Sequence, residues 1–279
     1  MKKTKIFPEP FIKWVGGKRN LLPTIHESMP EKFTKYFEPF VGGGAVLWSM
    51  AEKFPLLNIV ISDSNEELIN LYETVRDYPE KLIEESKKHM NNEEYYYKIR
   101  SLDRTDDFLS LNPITRASRF LYLNKTGYNG LWRVNSKGHH NVPFGFYKNP
   151  KIVDEQNIFV CSEFLKKTTI LQGDFSITLP MVDENSFVYM DPPYHPVSST
   201  ASFTNYSRKG FDSECQIELK KFCDTLNAKG AKFMTSNSFT PFIEELYSGY
   251  KLKVVSANRF ISCKKDGRKK TNEYIIVNY

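Results

Sequence analysis

A short apolar run that ends in three successive glycines is the feature that most restricts the fold of this chain. Residues 35–48, KYFEPFVGGGAVLW, have the pattern of a buried strand, a glycine turn and the start of a helix. Residues 57–62, LNIVIS, predict a second buried strand that ends at Asp63, and Asn65 can cap the helix that follows. This order opens a βαβ unit, so we expect a parallel sheet.

Strand and helix patterns alternate again after about residue 156. The segments TTILQGDF, NSFVYMD and AKFMTSN predict strands, and SECQIELKKFCDTLNAKG predicts a helix with a glycine stop. KLKVVSANRF and NEYIIVNY predict two closing strands that are near enough in sequence to pair antiparallel at the sheet edge. The expected fold class is therefore α/β, with a Rossmann-like sheet that is mostly parallel and has one antiparallel edge strand.

The stretch between these two halves has a different sequence pattern. From about 66 to 123 the pattern is helical and amphipathic, whereas residues 124–150 are rich in Gly, Asn, Pro, aromatics and cations. A long connection without its own pattern is usually functional or disordered, and the many aromatics argue against disorder. We expect a catalytic domain made of 1–64 and 156–279, interrupted by a mainly helical inserted domain at 65–155.

Charge and cysteine usage limit the classes of partner and compartment. The net charge of +6 favours acidic partners, nucleic acid first, although many basic proteins bind none. The cysteines form no C-x-x-C pair, which favours free thiols over a zinc site or a disulfide framework. The start lacks an apolar signal core, and no apolar run has membrane-spanning length. We expect a cytoplasmic protein with no metal and no membrane partner. The cysteines are Cys161, Cys215, Cys223 and Cys263.

Two of the predicted strands end in residues that suit an adenosine cofactor. After the glycine turn, Asp63 closes the next strand about twenty positions on, where a carboxylate can accept hydrogen bonds from ribose hydroxyls. The alternative is an ordinary tight turn. In LQGDF, Asp174 could accept from an adenine amino group while Phe175 covers the ring. Here the alternative is a turn aspartate with no ligand.

A third strand ends in Asp191, Pro192, Pro193 and Tyr194. Each proline fixes its own φ and restricts the residue before it, and neither has an N–H. The result is a rigid group of acceptors beside an aromatic face, which suits a flat substrate that carries an amino group. The alternative is a simple strand terminator. Because the carboxyl ends of parallel strands meet at one edge, all three sites should converge there.

With these motifs assembled, the chain resembles the Dam/DpnII-type DNA adenine-N6 methyltransferases nearly from end to end. FIKWVGGKRNLLP (11–23) is similar to the family's N-terminal S-adenosylmethionine motif, YFEPFVGGGAV to its glycine motif, and ISDSNEELIN (61–70) to its ribose motif. DPPY is similar to its catalytic motif, and SSTASFTNYSRKGF after it also matches. The stretch 122–150, YLNKTGYNGLWRVNSKGHHNVPFGFYKNP, resembles its recognition loop and is the most specific part of the match.

The resemblance implies roles for residues of this chain. It places Trp14 and Lys18 against S-adenosylmethionine, and it implies that Lys13 and Arg133 read guanines of 5′-GATC-3′. Trp132, His139 and His140 depart from the family pattern and receive no role; adjacent loop histidines are usually solvated. The implied cofactor-binding residues are Trp14, Lys18, Pro39, Phe40, Gly42, Gly44, Asp63, Asp174, Phe175 and Asp191. The implied DNA-binding residues are Lys13, Tyr128, Asn129, Leu131, Arg133, Asn135, Asn141, Pro143 and Tyr147.

The expected activity is methyl transfer from S-adenosylmethionine to N6 of an adenine that is flipped out of double-stranded DNA. Asp191 and the Pro192 carbonyl would accept from the amino group, and basic segments such as KKDGRKK (264–270) would contact phosphates or remain solvated. Alternatives are an amino-methyltransferase for RNA adenine, cytosine N4 or a protein glutamine, and a non-catalytic DNA-binding module. We expect a monomer, with a dimer as the alternative.

Overall fold

The computed structural model of the protein describes residues 7–54, 57–196, 211–258 and 270–279. Within these ranges, seven strands form one sheet in the order β3-β2-β1-β4-β5-β7-β6. The strands are β1 (Lys35–Glu38), β2 (Asn58–Asp63), β3 (Thr168–Gln172), β4 (Ser186–Met190), β5 (Lys232–Ser238), β6 (Lys251–Asn258) and β7 (Lys270–Val277).

The first five strands are parallel, and β7 is antiparallel to both β5 and β6. The antiparallel strand therefore lies in the closing pair at one end of the sheet, which confirms the Rossmann-like prediction. Each strand predicted from its apolar run is present within a few residues of its expected bounds. The buried cores of these strands explain why unbroken apolar runs, rather than alternating ones, marked them.

Helices precede, connect and follow the strands. They are α1 (Leu22–Glu27), α2 (Ala45–Lys53), α3 (Glu66–Asp77), α4 (Pro79–Lys87), α5 (Glu93–Ser101), α6 (Pro113–Thr126), α7 (Glu155–Leu165), α8 (Ser213–Ala228) and α9 (Pro241–Leu246). As predicted, the Asn65 side chain caps α3 by accepting from the Leu68 N–H at 3.1 Å. Asp212 caps α8 in the same way through the Cys215 N–H at 3.0 Å.

The helical stretch between β2 and α7 packs onto the sheet through α3. This helix contacts β2 and β3 on one side and α6 on the other, so one apolar core runs from the sheet into the helices. The division into 1–64, 65–155 and 156–279 stays a prediction. Of the helices within the described ranges, none has both the length and the apolar character needed to cross a membrane.

Several expectations concern residues with no structural description. Most of the stretch 198–211, the basic residues 264–269 and Cys263 lie outside the described residues. The other three cysteines are free thiols, as predicted, and Cys161 and Cys223 are buried.

Candidate active site

The sheet order brings two of the predicted motifs side by side. Strand β1 pairs with β2 on one side and with β4 on the other, with Phe37 opposite Val188. The chain therefore turns in opposite directions along the sheet after β1 and after β4, and a crevice for ligands is expected at such a point. The glycine turn follows β1, and Asp-Pro-Pro-Tyr follows β4. The predicted convergence of these two motifs is confirmed.

The glycine turn packs closely against Trp14. Gly42 has a φ of +47°, and a Cβ on this residue would lie 2.6 Å from the indole ring. A Cβ on Gly43 would lie 2.8 Å from the Trp14 Cβ. Protein packing alone thus requires small residues here, although Trp14 and the turn together also form the wall that the expected cofactor would meet.

Asp63 stands at the end of β2 beside this turn. One carboxylate oxygen accepts from the Gly42 N–H at 3.1 Å, and the other accepts from the Asn65 N–H at 3.0 Å. Burial raises the pKa of Asp63 above its usual range, and these backbone donors oppose that shift. The two oxygens of a carboxylate together have about four acceptor sites, so Asp63 can still accept from a ligand hydroxyl.

An aromatic pair joins the segments that follow β1 and β3. The rings of Phe40 and Phe175 stack with their centroids 5.5 Å apart, and Phe175 is buried. Pro39 precedes Phe40, and its carbonyl accepts from the Ser62 hydroxyl at 3.4 Å. Asp174 is exposed and caps the short 3₁₀ helix after β3 by accepting from the Ser176 N–H at 3.1 Å. Both the turn-aspartate and the ligand interpretations of Asp174 fit this position.

Asp191, which is half-buried, forms an ion pair with the buried Lys18. The Lys18 Nζ lies 2.8 Å from an Asp191 carboxylate oxygen and also donates to the Gly16 carbonyl at 2.8 Å. The lysine side chain is only 7% exposed, compared with 21% for the aspartate. Burial raises the pKa of Asp191, and the Lys18 ammonium opposes this shift. Lys18, expected to contact a cofactor, thus also holds the carboxylate of the Asp-Pro-Pro-Tyr motif.

Tyr194 presents its ring to the same lysine. The Lys18 Nζ lies over the ring, 4.7 Å from its centroid, so this aromatic face accepts a cation. At the far end of the ring, the hydroxyl donates to the Glu273 carboxylate at 2.8 Å. Asp191 and Tyr194 thus line one cluster with Lys18 between them, which is the juxtaposition that the motif predicted.

Two buried amides hold the turn after β4 in place. The Gln216 side chain on α8 donates to the Pro193 carbonyl at 2.9 Å, and the Asn237 side chain on β5 donates to Gln216 at 2.9 Å. Asn237 also accepts from the His195 N–H at 3.3 Å. Sequence reasoning missed both residues. The signal was present for Asn237, because the predicted strand AKFMTSN ends in polar residues that turn out to be buried.

Glu38 is a further carboxylate that sequence reasoning missed. It ends β1, is 2% exposed, and accepts from the Tyr36 hydroxyl at 2.6 Å. Burial raises the pKa of Glu38 to about 8, and the Tyr36 hydrogen bond opposes the shift while the charge of Asp191 adds to it. In the sequence, Glu38 looked like a polar residue at a strand end, so nothing indicated its burial.

The predicted recognition loop is attached to the N-terminal segment through Asn124. Its side-chain oxygen accepts from the Lys13 N–H at 2.9 Å, and its amide group donates to the Lys13 carbonyl at 2.8 Å and to the Gly130 carbonyl at 3.0 Å. Gly130 has a φ of +63°, and a Cβ there would lie 2.5 Å from the Lys13 side chain. The Lys13 ammonium lies 5.0 Å from the centroid of the Tyr147 ring. Two of the residues expected to bind DNA, Lys13 and Tyr147, are therefore in contact.

Farther along the loop, residues 133–141 fold back on themselves. The exposed Arg133 donates from Nε to the Asn141 side chain at 2.7 Å, and the Asn141 N–H donates to the Arg133 carbonyl at 3.0 Å. The Asn135 N–H donates to the His139 carbonyl at 2.9 Å, which closes the turn. The Asn141 contact orients the guanidinium and leaves its terminal nitrogens for a ligand.

Tyr128 and its neighbours form a separate turn. The Tyr128 N–H donates to the Pro143 carbonyl at 2.9 Å, and the Leu131 N–H donates to the Tyr128 carbonyl at 3.2 Å. Asn129 adopts a φ of +55°, a strained conformation for a residue other than glycine. The Tyr128 side chain is 45% exposed, so it is available to a partner.

The expectation that His140 is solvated is wrong. His140 is fully buried, and its ring lies 4.6 Å from that of Trp132, which is buried and stacks on Phe120 at 3.7 Å. The backbone N–H of His140 donates to the Asp103 carboxylate at 2.7 Å. Burial lowers the pKa of His140 well below its usual range. Trp132 and His140 therefore form the core beneath the loop, and sequence reasoning missed this because the loop has no periodic apolar pattern.

Over the described residues, no group of three or more His, Cys, Asp or Glu side chains has the arrangement of a metal site.

The chain matches one protein family and has close relatives among known proteins. The chain belongs to the D12 class N6 adenine-specific DNA methyltransferases, whose family model matches residues 14–261. It is 45% identical to the type II methyltransferase M.MjaIII of Methanocaldococcus jannaschii, over 97% of this chain and 99% of that protein. It is 44% identical to the type II methyltransferase M1.LlaDCHI of Lactococcus lactis subsp. cremoris, over 100% and 98%. It is 36% identical to the DNA adenine methylase of Vibrio cholerae serotype O1, over 96% and 95%.

Proposed function

We propose that this enzyme transfers a methyl group from S-adenosylmethionine to N6 of an adenine flipped out of double-stranded DNA, within 5′-GATC-3′ sites. The observation that carries the proposal is the half-buried cluster of Asp191 and Tyr194 around the buried Lys18, at the end of the strand next to the one that leads into the glycine turn. One ligand can therefore lie against the turn while an amino group faces Asp191. The relatives named DNA adenine methylase support adenine in DNA as the substrate.

The residues around the glycine turn suit S-adenosylmethionine. Asp63 keeps free acceptor sites for ribose hydroxyls, and the stacked rings of Phe40 and Phe175 offer an apolar wall for an adenine. Asp174 is exposed close to Phe175 and can accept from an adenine amino group. When bound, S-adenosylmethionine supplies an electrophilic methyl group on a sulfonium. Trp14 and Lys18 would close the remaining side of this site.

Asp191 and the Pro192 carbonyl would orient the target amino group. An adenine amino nitrogen is a poor nucleophile, because its lone pair is delocalised into the ring. Acceptors that draw its two N–H groups favour a tetrahedral nitrogen whose lone pair is available, and they stabilise the positive charge that grows on it. No donor to the Pro192 carbonyl is found within the described ranges, so that oxygen can take this role. Asp191 then holds the proton that leaves the nitrogen.

Tyr194 and the recognition loop would handle the DNA. A base that stays stacked in a duplex cannot bring its amino group to Asp191, so the adenine must leave the stack at a cost of a few kcal/mol. The Tyr194 ring can stack on the flipped base once Lys18 withdraws from its face. The half-exposed Tyr128 is suited to fill the vacated space. Lys13 and Arg133 would contact guanines, as the loop's resemblance to the family implies.

Methyl incorporation tests the proposal. The enzyme is incubated with tritiated S-adenosylmethionine and a duplex that contains one GATC site. The control is a matched duplex in which the adenines of the site are replaced by guanines, each paired with cytosine, or in which the site is scrambled. We expect label in the GATC duplex alone, on N6 of adenine after digestion to nucleosides. Label on cytosine N4, equal label in the control duplex, or no label would contradict it.

Arg133→Ala should relax the choice of base at one position of the site. A bidentate arginine–guanine contact contributes about 1–3 kcal/mol of discrimination, so the preference for guanine there should fall by about 10–100-fold. Methylation rates on duplexes with each base at each position measure this. Lys148→Ala, at an exposed cation of the same loop, is the control. A uniform loss across all sequences in Arg133→Ala would instead mark a phosphate contact.

A further inference from the structure

The hydroxyl of Tyr194 is bound to a carboxylate from a distant part of the chain. Glu273 lies on β7, 79 residues away in sequence, and accepts this hydroxyl at 2.8 Å. Glu273 is 7% exposed, so its carboxylate is largely removed from water. Burying a carboxylate is costly unless it is paired or hydrogen-bonded, and the phenol of Tyr194 supplies such a bond.

The backbone that carries Glu273 is held on both sides. Strand β7 lies between β5 and β6, and Glu273 is opposite Ser238 on one neighbour and Val255 on the other. Tyr194, in contrast, lies in the segment after β4. Without a fixed partner for its hydroxyl, the Tyr194 ring could change its orientation. The hydrogen bond therefore ties a loop aromatic to the interior of the sheet.

Glu273 also places negative charge close to Asp191. Burial is the largest cause of the raised pKa of Asp191, and the Glu273 carboxylate adds to it. Lys18 is the cation that faces both Asp191 and the Tyr194 ring. Glu273 is a buried carboxylate close to the half-buried Asp191, and this second negative charge makes the cluster less favourable for folding, so the position of Glu273 calls for a role other than stability.

We propose that Glu273 is a positioning residue for methyl transfer: it fixes the Tyr194 ring in the plane that stacks on the target base. By accepting a hydrogen bond from the phenol, whose proton stays on Tyr194, it also makes the ring face more electron-rich, which favours the positive charge that grows on the substrate nitrogen. This inference rests on the proposed function of the same site.

The test compares Glu273→Leu, Glu273→Gln, Tyr194→Phe and the double variant Glu273→Leu/Tyr194→Phe. Glu273→Leu and Tyr194→Phe should each lower the single-turnover rate of methyl transfer by about tenfold, as expected for a hydrogen bond to a charged group. The dissociation constants for DNA and S-adenosylmethionine should change less than about twofold. Glu273→Gln, which keeps a neutral acceptor, should recover most of the rate. The double variant should be no slower than Tyr194→Phe, because both changes remove one interaction.

Base orientation is read separately from chemistry. With 2-aminopurine in place of the target adenine, wild-type enzyme should give a strong fluorescence rise on flipping, and Glu273→Leu should give a rise of altered size because the base is held less firmly. Glu245→Gln, at an exposed carboxylate on α9, is the control. Multiplicative rate losses in the double variant, or a Glu273→Leu rate equal to that of the control, would overturn the inference.

The proposed methyl transfer and the positioning role of Glu273 are contradicted by different results. If wild-type enzyme transfers no methyl group to duplex DNA, the proposed function is wrong. If wild-type enzyme is active and Tyr194→Phe retains its full single-turnover rate, only the role of Glu273 is wrong. Tyr194→Phe keeps the ring and replaces no residue of the sheet, so this outcome is decisive even if Glu273→Leu does not fold.

Discussion

Asp191→Ala should lower the rate of methyl transfer by at least about a thousandfold while duplex binding changes by less than about threefold. Removing a single polar group aimed at developing charge typically costs about 10²–10³ in rate, and Asp191 is also the expected proton acceptor. The DNA contacts expected of the recognition loop do not involve this residue. Single-turnover methyl transfer and fluorescence anisotropy with a labelled duplex measure the two effects.

The chain offers a matched control for this variant. Asp183 is also paired with a lysine, Lys35, at 2.5 Å, but it precedes β4, whereas Asp191 follows it. Both side chains of that pair are about one third exposed, at 34% and 35%. Asp183→Ala should therefore leave methyl transfer unchanged. Asp191→Ala should also lose stability, since it leaves Lys18 buried without its carboxylate. Near-normal turnover in Asp191→Ala would refute the mechanism.

Glu38→Gln should make the protein's stability less dependent on pH. Burial raises the pKa of Glu38 to about 8, so between its ordinary value and pH 8 the folded protein holds a proton that the unfolded chain releases. The free energy of unfolding must then fall as the pH rises through this window, by about 1.4 kcal/mol per pH unit for a fully protonated site. A glutamine cannot lose this proton.

Urea unfolding at pH 5, 6.5 and 8 measures the effect of Glu38→Gln. The stability of the variant relative to wild type should increase by roughly 4 kcal/mol from pH 5 to pH 8. Glu31→Gln, at an exposed glutamate, should show no such trend. Parallel stability curves for Glu38→Gln and wild type would show that Glu38 is ionised in the folded protein.

The sheet and its ligand edge were predictable because each depends on local pattern. Unbroken apolar runs marked the buried strands, and the glycine turn and Asp-Pro-Pro-Tyr marked the points where two of them end. The adjacency of β1 and β4, which places these motifs together, depends on the order of strands in the sheet. The meeting of the two motifs could still be expected without knowing the strand order, because the carboxyl ends of parallel strands lie at the same edge of a sheet.

The partners of the predicted side chains were not predictable. Lys18 meets Asp191 across 173 positions of sequence, as their numbers show, and Glu273 reaches Tyr194 from the far end of the chain. Such pairs depend on tertiary contacts that leave no periodic pattern. The buried residues of the predicted recognition loop were missed for a related reason. The aromatic content of this loop suggested that it is ordered, but only its packing on Phe120 reveals that Trp132 and His140 form a core.

The two hydrogen bonds between the Asn124 side chain and the backbone of Lys13 have a consequence for the coupling between two ligands. Lys13 and Trp14 are consecutive residues, one fixed to the recognition loop and the other packed on the glycine turn. We therefore expect that a shift of this segment on binding of one ligand would reach the other site through the single peptide unit that joins Lys13 to Trp14. Thermodynamic reciprocity then requires that any factor by which the methyl donor tightens DNA binding is the same factor by which DNA tightens binding of the donor.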